Sequence, residues 1–236
     1  MEKNKDNGKN IPKCIGIIMD GNRRWAKEQG ITTYQGHKKG YEKMKDVISW
    51  AREREIDNVI FYAFSNENWN RLPEEVSYLM DLFKFAFSNE FQSLLKDEVR
   101  VKVIGDISRF SIDIQEMIKN IENDTKHFKT TMVLAMSYGG RQEILDAVKK
   151  ISETKTKEEI SKITEQDFAN NLYTADIPDP DIIIRTSGEM RLSGFLPWQS
   201  VYSEFFFLKI FWPAFTKDDF FSVLDEYSLR SRRHGK

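Results

Sequence analysis

The sequence lacks the features of several common protein classes. A single cysteine, Cys14, excludes an internal disulfide and a cysteine-rich zinc site. Among the 236 residues no apolar run is long enough to cross a bilayer, and the polar start MEKNKDNGKN has no signal-peptide core. A net charge of −1 gives no general basic field, which argues against nonspecific binding of nucleic acid. We therefore expect a cytoplasmic protein whose contact with a membrane, where it occurs, is peripheral.

Several catalytic motifs are also missing. The chain has no GxxxxGK[ST] or GxGxxG phosphate loop, no HExxH zinc motif, no GxSxG nucleophile elbow and no DDxxD pair of carboxylates. Cys14 enters an apolar run, which indicates a packed side chain and not a nucleophile. What is abundant is apolar volume, since 40% of the residues are hydrophobic and 17 are phenylalanine. A chain of this length and composition can bury a sizeable core in one domain.

Short apolar runs alternate with longer helical patterns, which is typical of α/β proteins. The predicted strands are residues 14–19, 58–64, 99–105, 131–136, 181–185 and 204–208. The predicted helices are residues 36–55, 73–96, 111–126, 141–154, 164–172 and 216–229. This alternation favours a single α/β domain, a mostly parallel six-stranded sheet flanked by helices, over residues 12–236. Residues 1–11 are predicted to be a disordered tail, and the charged segment 152–162 a surface insert.

The first predicted strand ends in a polar turn that is a candidate ligand site. Asp20 lies at the strand end, and Arg23, Arg24 and Trp25 open what looks like a helix. In an open α/β sheet, ligands bind outside the carboxyl ends of the strands, where helix N-termini attract anions. An acid followed by two arginines can hold a metal-bound phosphate group. The alternative is a strand–turn–helix corner with solvated arginines.

A second polar segment, residues 65–71, follows the predicted strand 58–64. It combines an acid, three amides, a hydroxyl, an indole and an arginine within seven residues. A capped turn would explain the Asn and Ser residues alone, but the position at another strand's carboxyl end favours a functional loop.

A third polar segment, residues 185–193, follows the predicted strand 181–185. Arg185, Arg191 and Ser193 suit a diphosphate, because two arginine forks and a hydroxyl satisfy several phosphate oxygens. Glu189 is placed to orient an arginine. The three arginine-bearing strand ends are expected to converge at one edge of the sheet.

Two further features are unusual. The predicted helix 73–96 carries apolar residues on more than one face, whereas a surface helix needs only one apolar stripe. Deep burial, an oligomer interface or the wall of an apolar tunnel would each account for this excess. Of the three histidines, only His37, at a predicted helix start in GHKKG, is well placed to contact a ligand.

Six segments together carry a resemblance to a known family. They are MDGNRRWAK, GHKKG, YAFSNENWNR, SYGGR, RTSGEMRLSGFLPWQ and RSRRHG, in this order, in a match that runs from residue 11 to 235. The chain resembles the cis-prenyltransferases, and most closely the bacterial undecaprenyl diphosphate synthases. The resemblance implies an enzyme that condenses isopentenyl diphosphate repeatedly, in cis, onto an allylic diphosphate, usually farnesyl diphosphate. It also implies Mg²⁺, a homodimer, an apolar tunnel and undecaprenyl diphosphate, the precursor of a cell-wall lipid carrier, as the product.

The resemblance also assigns roles to residues. Asp20 would bring Mg²⁺ to the diphosphates, Glu204 would complete the metal site, and Asn68 would take the proton-acceptor position. Arg233 and Gly235, in the closing Arg-x-Gly, would reach the active site of the partner subunit. The residues that would bind substrate are Gly21, Asn22, Arg23, Arg24, Trp25, His37, Ser65, Asn66, Glu67, Trp69, Arg71, Arg185, Arg191, Leu192 and Ser193.

The chain departs from the family at Cys14, Arg23, Thr33 and Met190, where histidine, glycine, arginine and histidine are usual or common. We hypothesise that Arg23 replaces the phosphate-binding fork that is missing at Thr33. Two other functions stay open: a shorter-chain cis-prenyl diphosphate synthase, and a non-catalytic partner subunit of a cis-prenyltransferase. The presence of Asp20 with its arginines favours a catalytic chain. A phosphatase or nucleotide-binding protein fits least, since no nucleotide loop is present.

Overall fold

The computed structural model describes the backbone of residues 11–89 and 91–230, and their side chains except those of 89 and 91–93. The predicted tail, apart from Ile11, lies outside these residues, and so do Arg233 and Gly235. Within the described residues no helix is both long and apolar enough to pass through a membrane.

Six strands form one sheet. They are β1 (Cys14–Ile18), β2 (Asn58–Ser65), β3 (Val99–Ile104), β4 (Thr130–Tyr138), β5 (Ile182–Arg185) and β6 (Glu204–Phe207). The strand order is β3-β4-β2-β1-β5-β6, and every pairing in it is parallel. All six predicted strands are confirmed, with their ends moved by at most two residues. The strands are apolar almost throughout because both faces of a parallel sheet are covered.

The helices within the described residues flank this sheet. They are α1 (Asn22–Glu28), α2 (Thr33–Glu53), α3 (Pro73–Asn89), α4 (Phe91–Lys96), α5 (Ile112–Thr125), α6 (Gly140–Thr154), α7 (Lys157–Ile160), α8 (Glu165–Ala169) and α9 (Lys217–Leu229). Capping boxes begin α2 and α9, where the side chains of Thr32 and Thr216 accept hydrogen bonds from the third helical residue. The described residues of the predicted helix 73–96 are helical on both sides of residue 90, as α3 and α4, and the predicted insert contains α7.

The sheet separates two apolar clusters. On one face, Ile15, Ile17 and Phe61 of the strands lie in the cluster that includes residues of α2, α3, α5 and α9. On the other face, Ile18 and Ile60 belong to a smaller cluster. Cys14 is fully buried there, as the sequence predicts. This two-sided burial holds the ends of the central strands β2, β1 and β5 in fixed positions, and the polar segments follow those ends.

Candidate active site

The carboxyl ends of β2, β1 and β5 are neighbours, so the three polar segments meet at one edge of the sheet. With α2 they line a cavity of about 490 Å³, the main cavity. The predicted site residues in its walls are Asp20, Asn22, His37, Ser65, Glu67, Asn68, Arg71, Arg185 and Ser193. A second cavity of about 360 Å³ shares Asp20 and adds Gly21, Arg23, Arg24 and Arg191. The expected convergence of the arginine-bearing strand ends is therefore confirmed.

Asp20 is held by two arginines. Its Oδ2 accepts a hydrogen bond from Arg185 at 2.8 Å, and its Oδ1 accepts one from Arg24 at 3.0 Å. Burial would raise the pKa of Asp20, but the hydrogen bond and charge of Arg185, with the charge of Arg24, outweigh it and lower the pKa. Asp20 is thus a carboxylate at neutral pH. Gly21 follows at φ +106°, a conformation that L side chains rarely adopt.

Arg185, in the wall of the main cavity, connects three polar groups. Its side chain is buried, and besides Asp20 it donates to Ser193 Oγ at 2.9 Å and to the carbonyl oxygen of Arg191. Tyr62, which the sequence analysis did not single out, lines the same cavity with its hydroxyl 3.2 Å from the carbonyl of Ser193. Tyr62 lies near the carboxyl end of the predicted strand 58–64, and this position could have indicated that it lines the site.

Two glutamates hold the remaining arginines. Glu189 lies between Arg24 and Arg191, with oxygen–nitrogen distances of 3.2 and 2.6 Å. Glu75, in the first turn of α3, contacts Arg23 at 3.3 Å and Arg71 at 2.9 Å. Glu189 was predicted to orient an arginine, whereas Glu75 was not predicted, although an acid four residues after an arginine is a local signal.

The arginines make the second cavity positively charged. Four guanidinium groups, those of Arg23, Arg24, Arg71 and Arg191, line the second cavity. Guanidinium groups match the geometry of phosphate oxygens and stay charged at any physiological pH. This cavity is therefore suited to a ligand with several negative charges.

His37 presents an uncharged imidazole to both cavities. Burial, and then the charges of Arg71 and Arg23, lower the pKa of His37 to about 4. Its Nε2 and the Oδ1 of Asn22 are buried, and within the described residues neither has a hydrogen-bond partner. Buried polar atoms without partners are rare, and in a cavity wall they are expected where a ligand binds.

The segment 65–71 divides its side chains between two environments. It forms a 3₁₀ turn, Asn66–Asn70, in which Asn68 Oδ1 accepts from the Ser65 backbone N–H at 3.1 Å. Asn68 and Glu67 line the main cavity. The polar groups of Asn66 and Trp69 both contact Ser137, and neither side chain is part of the two cavity walls.

Two other predicted substrate-binding residues lie outside the walls of both cavities. Trp25 is half-buried on α1, one position beyond Arg24. Leu192 packs against the smaller apolar cluster, between Arg191 and Ser193. Its apolar side chain anchors the segment that carries those two polar residues.

The structure corrects the predicted position of Glu204. Register pairs Glu204 with Ile182 and Ile182 with Ile15, so Glu204 lies at the amino ends of the parallel strands. From Ile15, β1 runs over about 10 Å to its end at Ile18, and Asp20 lies just beyond that end. Glu204 instead accepts a hydrogen bond from Arg230 at 2.7 Å. Within one protomer, the predicted metal site formed by Asp20 and Glu204 is wrong, because Glu204 begins β6 whereas Asp20 follows the opposite end of β1, two strands away.

The carboxylates near the cavities fit a metal ion that takes most of its ligands from substrate and water. The described residues contain no group of three His, Cys, Asp or Glu side chains that would form a metal cage. Mg²⁺, however, needs only one or two carboxylates where substrate phosphates and water supply the other oxygens. Asp20, with 26% of its side chain exposed at the cavity, fits this role.

An apolar pocket adjoins the main cavity between α2 and α3. Its volume is about 60 Å³, and Met44, Leu82, Phe83 and Ala86 are among its walls. Met19, His37 and Leu79 border both spaces. Much of the apolar excess of α3 is core packing, since Leu79, Leu82 and Phe87 are buried. The apolar tunnel stays a prediction.

Comparisons with known proteins agree with this geometry. A family model described as putative undecaprenyl diphosphate synthase matches residues 18–235. An isoprenyl transferase from Thermotoga maritima is 45% identical over 226 residues, which cover 95% of this chain and 97% of that protein. A geranylgeranyl-diphosphate-specific tritrans,polycis-undecaprenyl-diphosphate synthase from Thermoplasma acidophilum is 47% identical, with 95% and 89% covered. The structure of lavandulyl diphosphate synthase from Lavandula x intermedia with dimethylallyl diphosphate has a TM-score of 0.90 at 34% identity, with 96% and 99% covered.

Proposed function

The chain belongs to the undecaprenyl diphosphate synthase family of cis-prenyltransferases, and from this premise we propose a specific reaction for it. The proposed reaction is the repeated cis condensation of isopentenyl diphosphate onto farnesyl diphosphate, with undecaprenyl diphosphate as the product. That product would serve as the precursor of a cell-wall lipid carrier. The observation that carries the proposal is the carboxylate of Asp20 among arginines, at a polar cavity that adjoins an apolar pocket.

The proposed binding roles follow from charge. Arg23, Arg24 and Arg71 would bind the allylic diphosphate beside the neutral His37, and Arg191 with Ser193 would bind isopentenyl diphosphate. Each guanidinium can replace its glutamate partner by phosphate oxygens, which carry more negative charge. The binding of two anions is thus expected to depend on several arginines acting together.

The proposed chemical step requires the allylic diphosphate to leave as an anion. Asp20 would hold Mg²⁺ at the diphosphate, and the bound ion would supply neutralisation of the charge that develops on the leaving group. The arginines would stabilise the same charge from positions set by their ion pairs with Glu75, Glu189 and Asp20. As the diphosphate leaves, the isopentenyl double bond would form the new C–C bond, and the isopentenyl unit would then lose a proton to form its new double bond. Asn68, whose amide lies in the wall of the main cavity, would accept that proton.

The apolar pocket gives the growing chain a direction. Burial of hydrocarbon contributes about 0.8 kcal/mol for each CH₂ group, so the chain is expected to extend from the main cavity between α2 and α3. The length of the product depends on how far this space opens.

The decisive experiment measures turnover and product length. Purified protein is incubated with labelled isopentenyl diphosphate and either farnesyl or geranylgeranyl diphosphate, with Mg²⁺ or with EDTA, and the products are sized by mass spectrometry. We expect turnover that requires Mg²⁺, and undecaprenyl diphosphate from farnesyl diphosphate. Faster reaction with geranylgeranyl diphosphate would instead favour the starter named for the Thermoplasma relative. A short product, or a folded protein without turnover, would contradict the proposal.

We also propose that the enzyme is a homodimer through the edge of the sheet at β6. Apolar side chains are exposed around this edge strand: Val201 is 70% exposed, Leu229 86% and Phe205 36%. The Phe205 and Phe207 rings stack side by side on one face of the strand. Exposed apolar residues near an edge strand are typical of a surface that binds another protein chain.

Val201→Asp is therefore expected to convert the dimer into a monomer, because it places a charge in the proposed apolar interface. Ile112→Asp is the control, since Ile112 is also an exposed apolar residue but lies on α5. Light scattering coupled to gel filtration measures the mass of each. A monomeric wild-type protein, or a dimeric Val201→Asp variant, would speak against this interface.

A further inference from the structure

The end of β4 contains a residue with an unusual backbone and no role in the reaction described above. Ser137, in the SYGGR segment, is almost fully buried and has a φ angle of +46°, in the left-handed region that non-glycine residues seldom adopt. Its carbonyl accepts a hydrogen bond from the backbone N–H of Asp106 at 3.2 Å. The backbone of Ser137 is thus tied to the loop after β3. Residues kept in such conformations commonly lie at functional sites.

The hydroxyl of Ser137 connects two residues of the 65–71 segment. It accepts a hydrogen bond from Trp69 Nε1 at 3.0 Å and lies 3.1 Å from Asn66 Oδ1, to which it donates. One hydroxyl therefore satisfies the indole N–H and the amide oxygen together. Gly139 lies just beyond, and a Cβ atom there would come within 2.9 Å of Asn66 Nδ2. The 3₁₀ turn Asn66–Asn70 is seated directly on the end of β4.

The rest of the Trp69 ring makes apolar and cation–π contacts. Its centroid is 4.9 Å from that of Phe64 and 5.2 Å from that of Phe110, and the Arg109 guanidinium lies 4.5 Å from it. These contacts favour a buried ring but do not select the direction of its N–H group. The hydrogen bond to Ser137 selects that direction.

Residues 67 and 68 lie between the two residues that Ser137 holds. Glu67 and Asn68 are both in the wall of the main cavity. Because the turn is only five residues long, fixing Asn66 and Trp69 fixes the direction in which Glu67 and Asn68 point. We propose that Ser137 is a positioning residue, whose hydroxyl holds the 3₁₀ turn so that Glu67 and Asn68 face the reacting carbons. This inference rests on the proposed function, since it assigns the turn its place in that reaction.

The test separates positioning from stability by steady-state kinetics. Ser137→Ala removes the hydroxyl, and Ser137→Gly removes it while making the positive φ favourable. For both variants we expect kcat to fall about 10- to 100-fold, because a small displacement of a reacting group has effects of this size. The KM for isopentenyl diphosphate should change less than about 3-fold, since Arg191 and Ser193, which are proposed to bind it, lie on another segment.

A matched control and a double-mutant cycle complete the experiment. Thr125 has a buried hydroxyl that also accepts from a backbone N–H and donates to a carbonyl, in α5 and away from the cavities. Thr125→Val should lower the melting temperature but leave kcat unchanged. Trp69→Phe removes the indole N–H together with part of the ring, and we expect the part of its effect that comes from the lost hydrogen bond to be non-additive with that of Ser137→Ala.

Each outcome bears on the inference. Wild-type kcat in Ser137→Ala, whatever its melting temperature, would overturn it, and so would wild-type kcat in Ser137→Gly. Additive losses for Trp69→Phe and Ser137→Ala would show that the hydrogen bond is not the cause. A wild-type enzyme without turnover would instead refute the proposed function, which the wild-type assay alone decides.

Discussion

Asp20→Ala is expected to lower turnover by about 10³-fold or more, the largest effect of any single substitution in this protein. Asp20 is the one carboxylate that both cavities share, and the arginines around it lower its pKa and keep it charged. Its removal would eliminate the proposed anchor for Mg²⁺, leave Arg185 without its anionic partner and leave Arg24 with Glu189 alone. Initial rates at saturating diphosphates and a range of Mg²⁺ concentrations measure this loss. A variant that keeps more than about one tenth of the wild-type rate would contradict the metal role of Asp20.

The control for this substitution is Asp57→Ala. Asp57 also forms an ion pair, with Lys129 at 3.0 Å, but it directly precedes β2, at the amino end of that strand. We expect it to keep the wild-type rate. Asp20→Asn adds a second test, because it preserves the shape of the side chain and removes only the charge. Its turnover should be as low as that of Asp20→Ala.

The same charge makes a contribution to stability that depends on pH. The pKa of Asp20 is lower in the folded protein than its ordinary value, so the folded state favours the ionised form. This contribution is fully present above the ordinary carboxyl pKa and is lost as the pH falls through the lowered one. The difference in melting temperature between wild type and Asp20→Asn should therefore be greatest near neutral pH and smaller in acid. An unchanged difference would show that the arginines do not stabilise the carboxylate.

Arg185→Met is expected to have the second largest effect, on stability as well as on turnover. Arg185 is 4% exposed and connects Asp20, Ser193 Oγ and the carbonyl of Arg191. Removal of Arg185 leaves the partly exposed Asp20 carboxylate without this partner, which costs about 1–3 kcal/mol and for a protein of this size lowers the melting temperature by about 2–12 °C. Turnover should fall at least about 100-fold, because Asp20 and the segment 186–193 lose their common support. Chemical denaturation and initial rates measure the two effects.

Arg185→Lys tests whether charge alone is sufficient. A lysine ammonium is a point charge, and it cannot reproduce a planar fork that reaches three partners. We expect this variant to recover part of the stability but little of the rate. Arg100→Met is the control, since Arg100 is a strand residue whose ion pair with Asp176 is partly exposed. A loss of stability in Arg100→Met equal to that in Arg185→Met would argue against a special role for Arg185.

The sequence was sufficient to predict the elements and the edge of the sheet where the site lies. Strand and helix patterns are local, so the six strands were found within two residues of their ends. Parallel connection then places the ends of β1, β2 and β5 at the same edge, which predicted that Asp20 and Arg191 would line a common cavity. Family motifs added the proposed roles of those residues.

Contacts between residues far apart in the sequence could not be predicted from local sequence patterns. Glu75 joins Arg23 to Arg71, and Ser137 joins Asn66 to Trp69, across 52 and 71 residues at most. The spacing of four residues indicates the contact of Arg71 with Glu75, but no spacing indicates those that Arg23 and Ser137 make. These contacts depend on how α3 and β4 pack against the sheet. Glu204 is the opposite case: the family motifs placed it in one metal site with Asp20, and the strand register excludes that contact within one protomer.

Sequence by itself therefore determined the α/β class, the order of the elements and the polar segments that follow the central strands. Only the tertiary structure decided which side chains face the cavity, which arginines share a glutamate and which end of the sheet holds Glu204. The physical reason is that periodicity and turn chemistry act over a few neighbouring residues. Side-chain direction at a site depends instead on packing and hydrogen bonds between segments that are far apart in the chain.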